Sequence, residues 1–379
     1  MTLESAAPRA AFASALAGEA AAGRKAMLLA PLGWGKTHAL LAARDSLAAR
    51  GVPFVFLDLF TAASTPERLL SAICEAVAPH AETDAAAIDV LASEAARDRH
   101  QAPLALLRLL ELLSRRKPAR PFVWLLDEIT EIRSLAYFPG LGRIEAPFAE
   151  AIMASRGALL TSSYLGLASD LFPDFDQRPL PALAAPDLED VPWLRSDGGA
   201  IAAAVAVTDG SAATLLPLVA DMRASRDVER SLTRLLLPGG GLELVCRRHY
   251  EVLLMRSRGY AVCKRAAEVV AGAPGGRLTD MFPLIGRTAG ASRQYLRWLV
   301  EVGLLTQRKK RYAFADPILG LWASLYLGRA DHPREDEVRA AVLARLGAGL
   351  KDRAHEDEGG RPAPAEPSKR RADRFEEID

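Results

Sequence analysis

The sequence predicts an α/β fold, in which a parallel sheet in three layers is followed by short helices and a small C-terminal domain. A glycine-rich loop at 30–37 joins an apolar run to a helix-forming segment. Two further apolar runs, 52–59 and 121–128, are short enough to be buried strands, and each carries acid at its end. Helical stretches separate these runs, and such alternation is typical of parallel sheets with helices on both faces.

The loop at 30–37 reads Ala-Pro-Leu-Gly-Trp-Gly-Lys-Thr. Polyphosphate binding needs backbone N–H groups that face the ligand, without bulky side chains, just ahead of a helix N-terminus. Gly33 and Gly35 permit that approach, although Ala30 replaces the first glycine of the G-x-x-x-x-G-K-[ST] pattern. The loop therefore predicts the P-loop of an NTPase core. Its predicted nucleotide-binding residues are Ala30, Pro31, Leu32, Gly33, Trp34, Gly35, Lys36, Thr37 and His38.

Four residues in these segments are candidates for phosphate chemistry. Lys36 is placed to reach the β- and γ-phosphates, and the Thr37 hydroxyl is placed to ligate Mg²⁺. Asp127 and Glu128 follow a buried strand, and parallel sheets bind ligands beyond the carboxyl ends of their strands. We expect Asp127 to hold Mg²⁺ and Glu128 to orient or deprotonate the attacking water. The alternatives are a glycine-rich turn with a solvated lysine and two helix-capping carboxylates.

Two further catalytic candidates lie downstream. A strand predicted at 157–163 ends in hydroxyl residues, of which Ser162 is the predicted sensor of the γ-phosphate or the water, with Thr161 and Ser163 beside it. Hydroxyl residues at strand ends also commonly cap the next turn. Arg178 is a candidate charge-stabilising arginine, which would need a neighbouring subunit or a domain closure to act. The alternative for Arg178 is an ordinary surface arginine.

The remaining elements follow from apolar spacing and turn residues. They are a helix at 10–23, helices at 66–77 and 104–116, and short alanine- and leucine-rich helices at 200–207 and 212–222. Pro238-Gly239-Gly240-Gly241 marks a linker. The predicted domains are a P-loop NTPase core at 1–184, a helical lid at 185–237, a winged-helix domain at 238–330, and a terminal helix with a disordered charged tail at 331–379.

The winged-helix prediction comes from the segment 278–314. A helix at 278–285, a turn and a helix at 291–302 precede two short strands around the basic tip 307–311. Residues 287–311 hold seven basic residues and one acid, whereas the formal charge of the whole chain is +1. This local charge predicts binding of double-stranded DNA. The predicted DNA contacts are Arg293, Gln294, Arg297, Arg308, Lys309, Lys310 and Arg311. A solvated basic surface, or one that docks on the acidic ATPase core, would carry the same charge.

Taken together, these motifs resemble P-loop ATPases of the AAA+ and related signal-transduction type, particularly the prokaryotic "archaeal ATPase" group with a C-terminal winged helix. The resemblance covers about residues 8 to 328. It implies ATP and Mg²⁺ as ligands and the phosphate, magnesium and water-activating roles given above. Two departures bear on activity, namely Ala30 and the Gly210-Ser211-Ala212-Ala213 segment, which stands where this family carries a lid motif. Hydrolysis is therefore expected to be slow or to depend on a partner.

Composition narrows the function classes. The three cysteines are widely spaced and the histidines are scattered along the sequence. This spacing argues against both a disulfide framework and a zinc site. The sequence has no apolar run of about 18 residues, so we expect a cytoplasmic protein without a membrane partner. Two functions remain: a Mg²⁺-dependent ATPase that acts as a nucleotide-controlled switch, or a DNA-binding or scaffold protein that binds ATP structurally with negligible hydrolysis. A partner protein or a homo-oligomer is compatible with either.

Overall fold

A five-stranded parallel sheet forms the centre of the N-terminal half. The computed structural model of the protein describes residues 9–80, 85–115, 121–188 and 198–358. The strands of the sheet are β1 Lys25–Leu29, β2 Phe54–Asp58, β3 Val123–Asp127, β4 Gly157–Ser162 and β5 Asp176–Pro179. They are parallel and lie in the order β2-β3-β4-β1-β5. The predicted α/β class and parallel sheet are confirmed.

Helices cover both faces of this sheet. They are α1 Ala10–Ala21, α2 Lys36–Ala49, α3 Leu59–Ala62, α4 Pro66–Val77, α5 Ala85–Arg97, α6 Ala102–Arg115, α7 Glu145–Met153 and α8 Leu165–Leu171. Alternate residues of β3 point to opposite faces, because side chains alternate along a strand. Val123 and Leu125 pack with α1 and α2, whereas Trp124 and Leu126 pack with α4, α6 and α7. The sheet is therefore the middle of three layers, as the apolar runs predicted.

The C-terminal half is mainly helical. Its helices are α9 Gly198–Thr208, α10 Ala212–Ser225, α11 Val228–Leu236, α12 Gly241–Arg256, α13 Tyr260–Gly272, α14 Leu278–Ile285, α15 Ala289–Glu301, α16 Pro317–Tyr326 and α17 Glu335–Glu358. The short strands β6 Gly276–Arg277, β7 Leu305–Arg308 and β8 Arg311–Phe314 form an antiparallel sheet in the order β6-β8-β7. Lys309 and Lys310, both at positive φ, make the two-residue turn between β7 and β8.

One apolar core runs through this half of the chain, from Leu183 to Val342. It contains buried side chains of α9 to α13 as well as of α15 and α16. Aromatic rings tie α12 to α16, since the ring of Tyr250 lies 5.4 Å from that of Trp322. The side chain of Asp316 caps α16 by accepting hydrogen bonds from the Ile318 and Leu319 N–H groups at 2.8 and 3.1 Å. The predicted division of this half at 237 stays a prediction.

Some predicted boundaries differ from those observed. The strand predicted at 157–163 ends at Ser162, and the terminal helix predicted within 331–379 extends from Glu335 to Glu358. Helix α5 was not predicted, although Ile88, Leu91 and Ala95 bury one of its faces. The tail prediction from 359 onward lies outside the described residues. Among the described helices, none combines the length and apolar character that a membrane span requires.

Parallel pairing brings three strand ends to the loop after β1. Asp58 pairs with Asp127, Leu126 pairs with Leu160, and Leu29 pairs with Ser162, so β1, β2, β3 and β4 end at the same edge of the sheet. The N-terminus of α2 begins at this edge, directly after the glycine-rich loop. Backbone register alone therefore places the predicted loop beside the acidic strand end.

Candidate functional site

The loop between β1 and α2 has the backbone of a phosphate cradle. Gly33 and Gly35 have φ values of 83° and 89°, in the left-handed region that favours glycine. Ala30 is buried and is not among the described residues with positive φ, so its Cβ imposes no backbone strain there. The Ala39 N–H donates to the Gly35 carbonyl at 3.0 Å and starts α2. The replacement of the first glycine is thus compatible with this loop.

The other predicted loop residues take different positions. Leu32 packs against the C-terminal core, whereas Trp34 packs against the core between α1 and the sheet. The carbonyl of Pro31 faces inward and accepts a hydrogen bond from Lys36. His38 is exposed on the first turn of α2. The loop therefore contacts both halves of the chain.

Lys36 lies inside the loop with only 4% of its surface exposed. Its Nζ donates to the Ala30 and Pro31 carbonyls at 3.1 and 3.2 Å and to Ser163 Oγ at 2.9 Å. It also lies 3.4 Å from Glu128 Oε1. Burial lowers the pKa of Lys36, while the charge of Glu128 opposes that shift. The ammonium group is thus held at the centre of the loop, where a bound polyphosphate would meet it.

Thr37 and Asp127 are in direct contact. The Thr37 hydroxyl donates to Asp127 Oδ2 at 2.6 Å, and the Thr161 hydroxyl donates to Asp127 Oδ1 at 2.5 Å. Burial raises the pKa of Asp127, and the two hydroxyl hydrogen bonds oppose this shift. A hydroxyl and a carboxylate are hard oxygen ligands of the kind that Mg²⁺ uses together with water and substrate phosphates. No group of three or more His, Cys, Asp or Glu side chains in the described ranges could hold a metal by itself.

Glu128 has an unusual backbone, with φ at 51°. A positive φ in a non-glycine residue is strained, and such residues cluster at functional sites. Its Oε2 accepts the Ser163 N–H at 3.0 Å, and its Oε1 accepts the Ser163 hydroxyl. Burial alone would raise the pKa of Glu128, but the charge of Lys36 and the hydrogen bonds from Ser163 outweigh burial and lower it. The carboxylate is consequently ionised at neutral pH and hydrogen-bonded in one orientation.

The hydroxyl residues at the end of β4 divide between two environments. The Ser162 hydroxyl pairs with Thr130 Oγ1 at 3.0 Å and accepts the Tyr164 N–H at 3.0 Å. Ser163, by contrast, contacts both Lys36 and Glu128. The sensor role of Ser162 stays a prediction, but its hydroxyl is engaged in a turn. Alternation along the strand is the signal that separates Ser162 from its neighbours Thr161 and Ser163.

Arg178 lies on β5, at the edge of the sheet. Its guanidinium pairs with Glu19 of α1 at 2.8 Å and with Asp176 at 2.5 Å. The hydrogen bonds that Arg178 donates to these two carboxylates raise its pKa. The structure therefore engages Arg178 with α1, and its charge-stabilising role stays a prediction.

Arg9 was not predicted as a site residue. It precedes α1, and its buried guanidinium donates to the Trp34 carbonyl at 2.7 Å and to the Pro181 carbonyl. Burial lowers its pKa, which the charge of Asp187 opposes. Arg9 thus joins the glycine-rich loop to the segment after β5, although these parts are far apart in the sequence.

Helices α10 and α12 also reach the loop. The Ala213 N–H donates to the Gly33 carbonyl at 2.9 Å. A Cβ added to Gly33 would lie 2.7 Å from Ala213 Cβ and 2.6 Å from His249 Cε1, so α10 and α12 both pack on this glycine. Burial, together with the charges of Arg248 and Lys36, lowers the pKa of His249 to about 4. A neutral imidazole therefore lies against the loop at physiological pH.

Arg256 lies two helical turns after His249, at the end of α12. Its Nη2 donates to Glu131 Oε1 at 2.9 Å, and its guanidinium lies 4.9 Å from the ring centroid of Tyr164. Its Nη1 is buried and has no hydrogen-bond partner among the described residues. The charge of Arg256 also contributes to the lowered pKa values of Lys36 and Glu128. No local motif marks Arg256 or His249, because both reach the site only through tertiary packing.

Comparison with solved structures supports the α/β fold described above. The Walker-type ATPase PABY2304 of Pyrococcus abyssi is similar to this chain with a TM-score of 0.57 and 17% identity, over 82% of this chain and 94% of that one. At this level of identity the similarity establishes the fold alone, which this chain shares with that Walker-type ATPase. The predicted resemblance is confirmed to that extent.

Other similarities are weaker. The RuvB Holliday junction branch migration motor of Thermotoga maritima gives a TM-score of 0.37 at 14% identity, over 83% of this chain and 92% of that one. AMPPCP-bound DnaA from Aquifex aeolicus gives 0.35 at 12% identity, over 77% and 87%. Both scores are too low to establish a common fold over the whole chain. No protein-family model matches the sequence, and no curated protein matches it.

Proposed function

We propose that the protein binds ATP with Mg²⁺ and hydrolyses it at the edge of the sheet where the loop meets β3 and β4. One observation carries this proposal: the loop side chains contact the acidic strand end, with Thr37 at 2.6 Å from Asp127 and Lys36 at 3.4 Å from Glu128. Catalysis of phosphoryl transfer is mainly positioning and electrostatic stabilisation, which this set of groups can supply.

Each group has a role in this proposal. Lys36 and the N–H groups of the loop bind the β- and γ-phosphates. Thr37 and Asp127 would hold Mg²⁺, which neutralises phosphate charge when bound. Glu128 accepts a hydrogen bond from the attacking water and orients it, since its lowered pKa keeps it ionised. Ser163 bridges Lys36 and Glu128, so we assign the hydroxyl nearest the reacting phosphate to Ser163.

We further propose that residues 260–314 form the winged helix of the domain predicted at 238–330, and that α12 of that domain joins the lid predicted at 185–237, so that α9–α12 act together as a lid. The order helix, strand, helix, helix, strand, strand, with an antiparallel sheet, supports the first assignment. The contacts of Ala213 and His249 with Gly33 support the second. Through these contacts, nucleotide in the loop would alter the position of the lid and of the winged helix, as a switch requires.

The test measures ATP binding and turnover for the wild type, Lys36→Ala and Glu128→Gln, with and without Mg²⁺. We expect Lys36→Ala to lose binding, and Glu128→Gln to bind ATP but to turn it over about 100-fold more slowly, in the range for loss of a general base. Glu111→Gln is the matched control, because Glu111 is an exposed partner of Arg115 on α6. Absence of ATP binding by the wild type would refute the proposal.

A second candidate is structural ATP binding without turnover. It is favoured by the engagement of Glu128, whose two carboxylate oxygens are both occupied by Ser163 and one of them also by Lys36. A carboxylate held in this way must exchange a partner before it can accept a water proton. Tight ATP binding with the same negligible turnover in the wild type and in Glu128→Gln would decide for this candidate.

A further inference from the structure

A large cleft separates the sheet domain from the basic C-terminal segment. Its volume is about 1480 Å³. One side, here called the basic wall, is lined by Arg277, Arg293, Arg297, Arg308 and Lys310. The other side, here called the apolar wall, is lined by Pro31, Trp34, Leu165, Pro179 and Leu180. The residues predicted to contact DNA are thus partly turned toward another part of the same chain.

The basic wall carries an excess of positive charge into the cleft. Arg293, Arg308 and Lys310 are exposed, whereas Arg297 is paired with Glu301 at 2.9 Å. The acids that line the cleft are Asp170, Asp209 and Glu301. Asp209 lies 3.3 Å from Arg345, so two of these three carboxylates already have a cationic partner. The net charge of the cleft therefore suits a polyanion.

The apolar wall offers flat surfaces opposite these cations. Trp34 and two prolines provide ring faces, and the Trp34 Nε1 is buried without a hydrogen-bond partner among the described residues. A cationic groove with apolar and aromatic surfaces is the arrangement that binds single-stranded nucleic acid, since the cations follow the backbone and the rings stack on bases. A ligand that carried phosphate alone would leave the apolar wall uncovered.

The cleft is less suited to a duplex. A recognition helix must enter a groove of the duplex with its face uncovered. Helix α15 instead approaches the sheet domain, because a Cβ added to Gly166 of α8 would lie 3.7 Å from Glu301 Cγ. The second residue after α15 is also close, since a Cβ on Gly303 would lie 3.4 Å from the Ser163 carbonyl oxygen. A flexible single strand can enter where a rigid duplex meets α8.

We propose that this cleft is a binding site for single-stranded nucleic acid. The phosphates contact Arg293, Arg308 and Lys310, and the bases pack on the apolar wall. Pro31 and Trp34 belong to the glycine-rich loop, so the bound strand contacts the outer side of that loop. The inner side of the loop faces Lys36. This site does not depend on ATP hydrolysis, so its test is independent of the proposed function.

The test is fluorescence anisotropy of the full chain, without nucleotide, with labelled oligo-thymidine, oligo-uridine and a DNA duplex of equal length. The protein variants are Arg293→Ala/Arg308→Ala and, as a control with the same change of charge, Arg68→Ala/Arg99→Ala, whose two arginines are exposed on the sheet domain. We expect the single strand to bind more tightly than the duplex. We also expect the first variant to weaken it about tenfold and to reduce the slope of log K against log salt by about 1.4, since each single-strand phosphate contact contributes about 0.7.

A gain of affinity gives a second readout that misfolding could not produce. Asp170 is exposed on the wall opposite the cations, so Asp170→Asn is expected to tighten single-strand binding several-fold at low salt. The DNA and RNA arms differ in the 2′-hydroxyl and in the 5-methyl group of thymine, and they separate the two sources of a single strand. Tighter binding of the duplex, an equal loss in the Arg68/Arg99 control, or no binding of any oligonucleotide would each overturn the proposal.

Discussion

The loop site and the cleft hold their charged groups in different ways. At the loop, Lys36, Asp127 and Glu128 are buried, and each of them is held by a hydrogen bond with a neighbouring hydroxyl. In the cleft, Arg293 and Arg308 are exposed, and the wall opposite them is mainly apolar. Buried charges interact strongly and with little screening, whereas exposed charges act through a field that salt weakens. The first arrangement suits chemistry on one ligand, and the second suits attraction of an extended one.

The largest effect is expected from a change at the buried site. Asp127→Asn keeps the shape of the side chain but removes the charge that would hold Mg²⁺, so we expect turnover to fall about 100-fold or more. Asp89→Asn, at an exposed position on α5, is the matched control. Turnover is measured over a range of Mg²⁺ concentrations, and unchanged turnover in Asp127→Asn would contradict the assigned metal site.

Salt distinguishes the two regions more directly. With three single-strand phosphate contacts, a rise from 50 to 200 mM salt is expected to weaken binding in the cleft about twentyfold. ATP turnover without nucleic acid is expected to change less than twofold over the same range, because the loop charges are buried. Anisotropy and turnover are measured in the same buffers. An equal salt dependence of single-strand binding and of ATP turnover would contradict the distinction between exposed charges in the cleft and buried charges at the loop.

His249 makes the contact between α12 and the loop dependent on pH. Its pKa is about 4 when folded and about 6.5 when unfolded, so the unfolded chain binds more protons between these values. The free energy of unfolding is therefore not lowered by His249 above about pH 6.5. It falls by up to roughly 3 kcal/mol as the pH falls from there toward 4. The measurement is urea unfolding of the wild type and His249→Gln at pH 5 and pH 7. A wild type and a variant that lose equal stability at pH 5 would contradict this role.

The smallest effect is expected at Arg178. Its ion pairs with Glu19 and Asp176 are partly exposed, and such pairs contribute about 0 to 1 kcal/mol. Arg178→Ala is therefore expected to lower stability by less than about 1 kcal/mol and to leave turnover unchanged. Arg178→Lys serves as the charge-retaining control. A large loss of turnover in Arg178→Ala alone would restore the predicted charge-stabilising role.

The sequence was sufficient for strands β1 to β4 of the sheet and for the polar groups that a local pattern places, but not for β5. Residues 30–37 and the strand before Asp127 could be identified because an apolar strand followed by a particular polar residue is a local feature. The choice between Ser162 and Ser163 could not be made in this way. It depends on where β4 ends, and a shift of one residue reverses the face on which a hydroxyl lies.

The residues supplied by distant parts of the chain could not be predicted. Arg9, His249 and Arg256 reach the site from before α1 and from α12, and their local sequences are ordinary helical surroundings. The position of α12 depends on the apolar core that it shares with α16, and the sequence of α12 alone does not show which helix it packs against. The same packing turns α15 toward α8, which basic composition alone did not indicate.

The apolar core between Leu183 and Val342 has a mechanical consequence. Because α10, α12 and α15 pack into it together, these helices cannot move separately without opening close-packed contacts. A displacement of Ala213 at the loop would therefore be transmitted to α12 and α15 as well. Arg308 and Lys310 of the hairpin line the same cleft as Pro31 and Trp34, so a movement of this core relative to the sheet would change the width of that cleft.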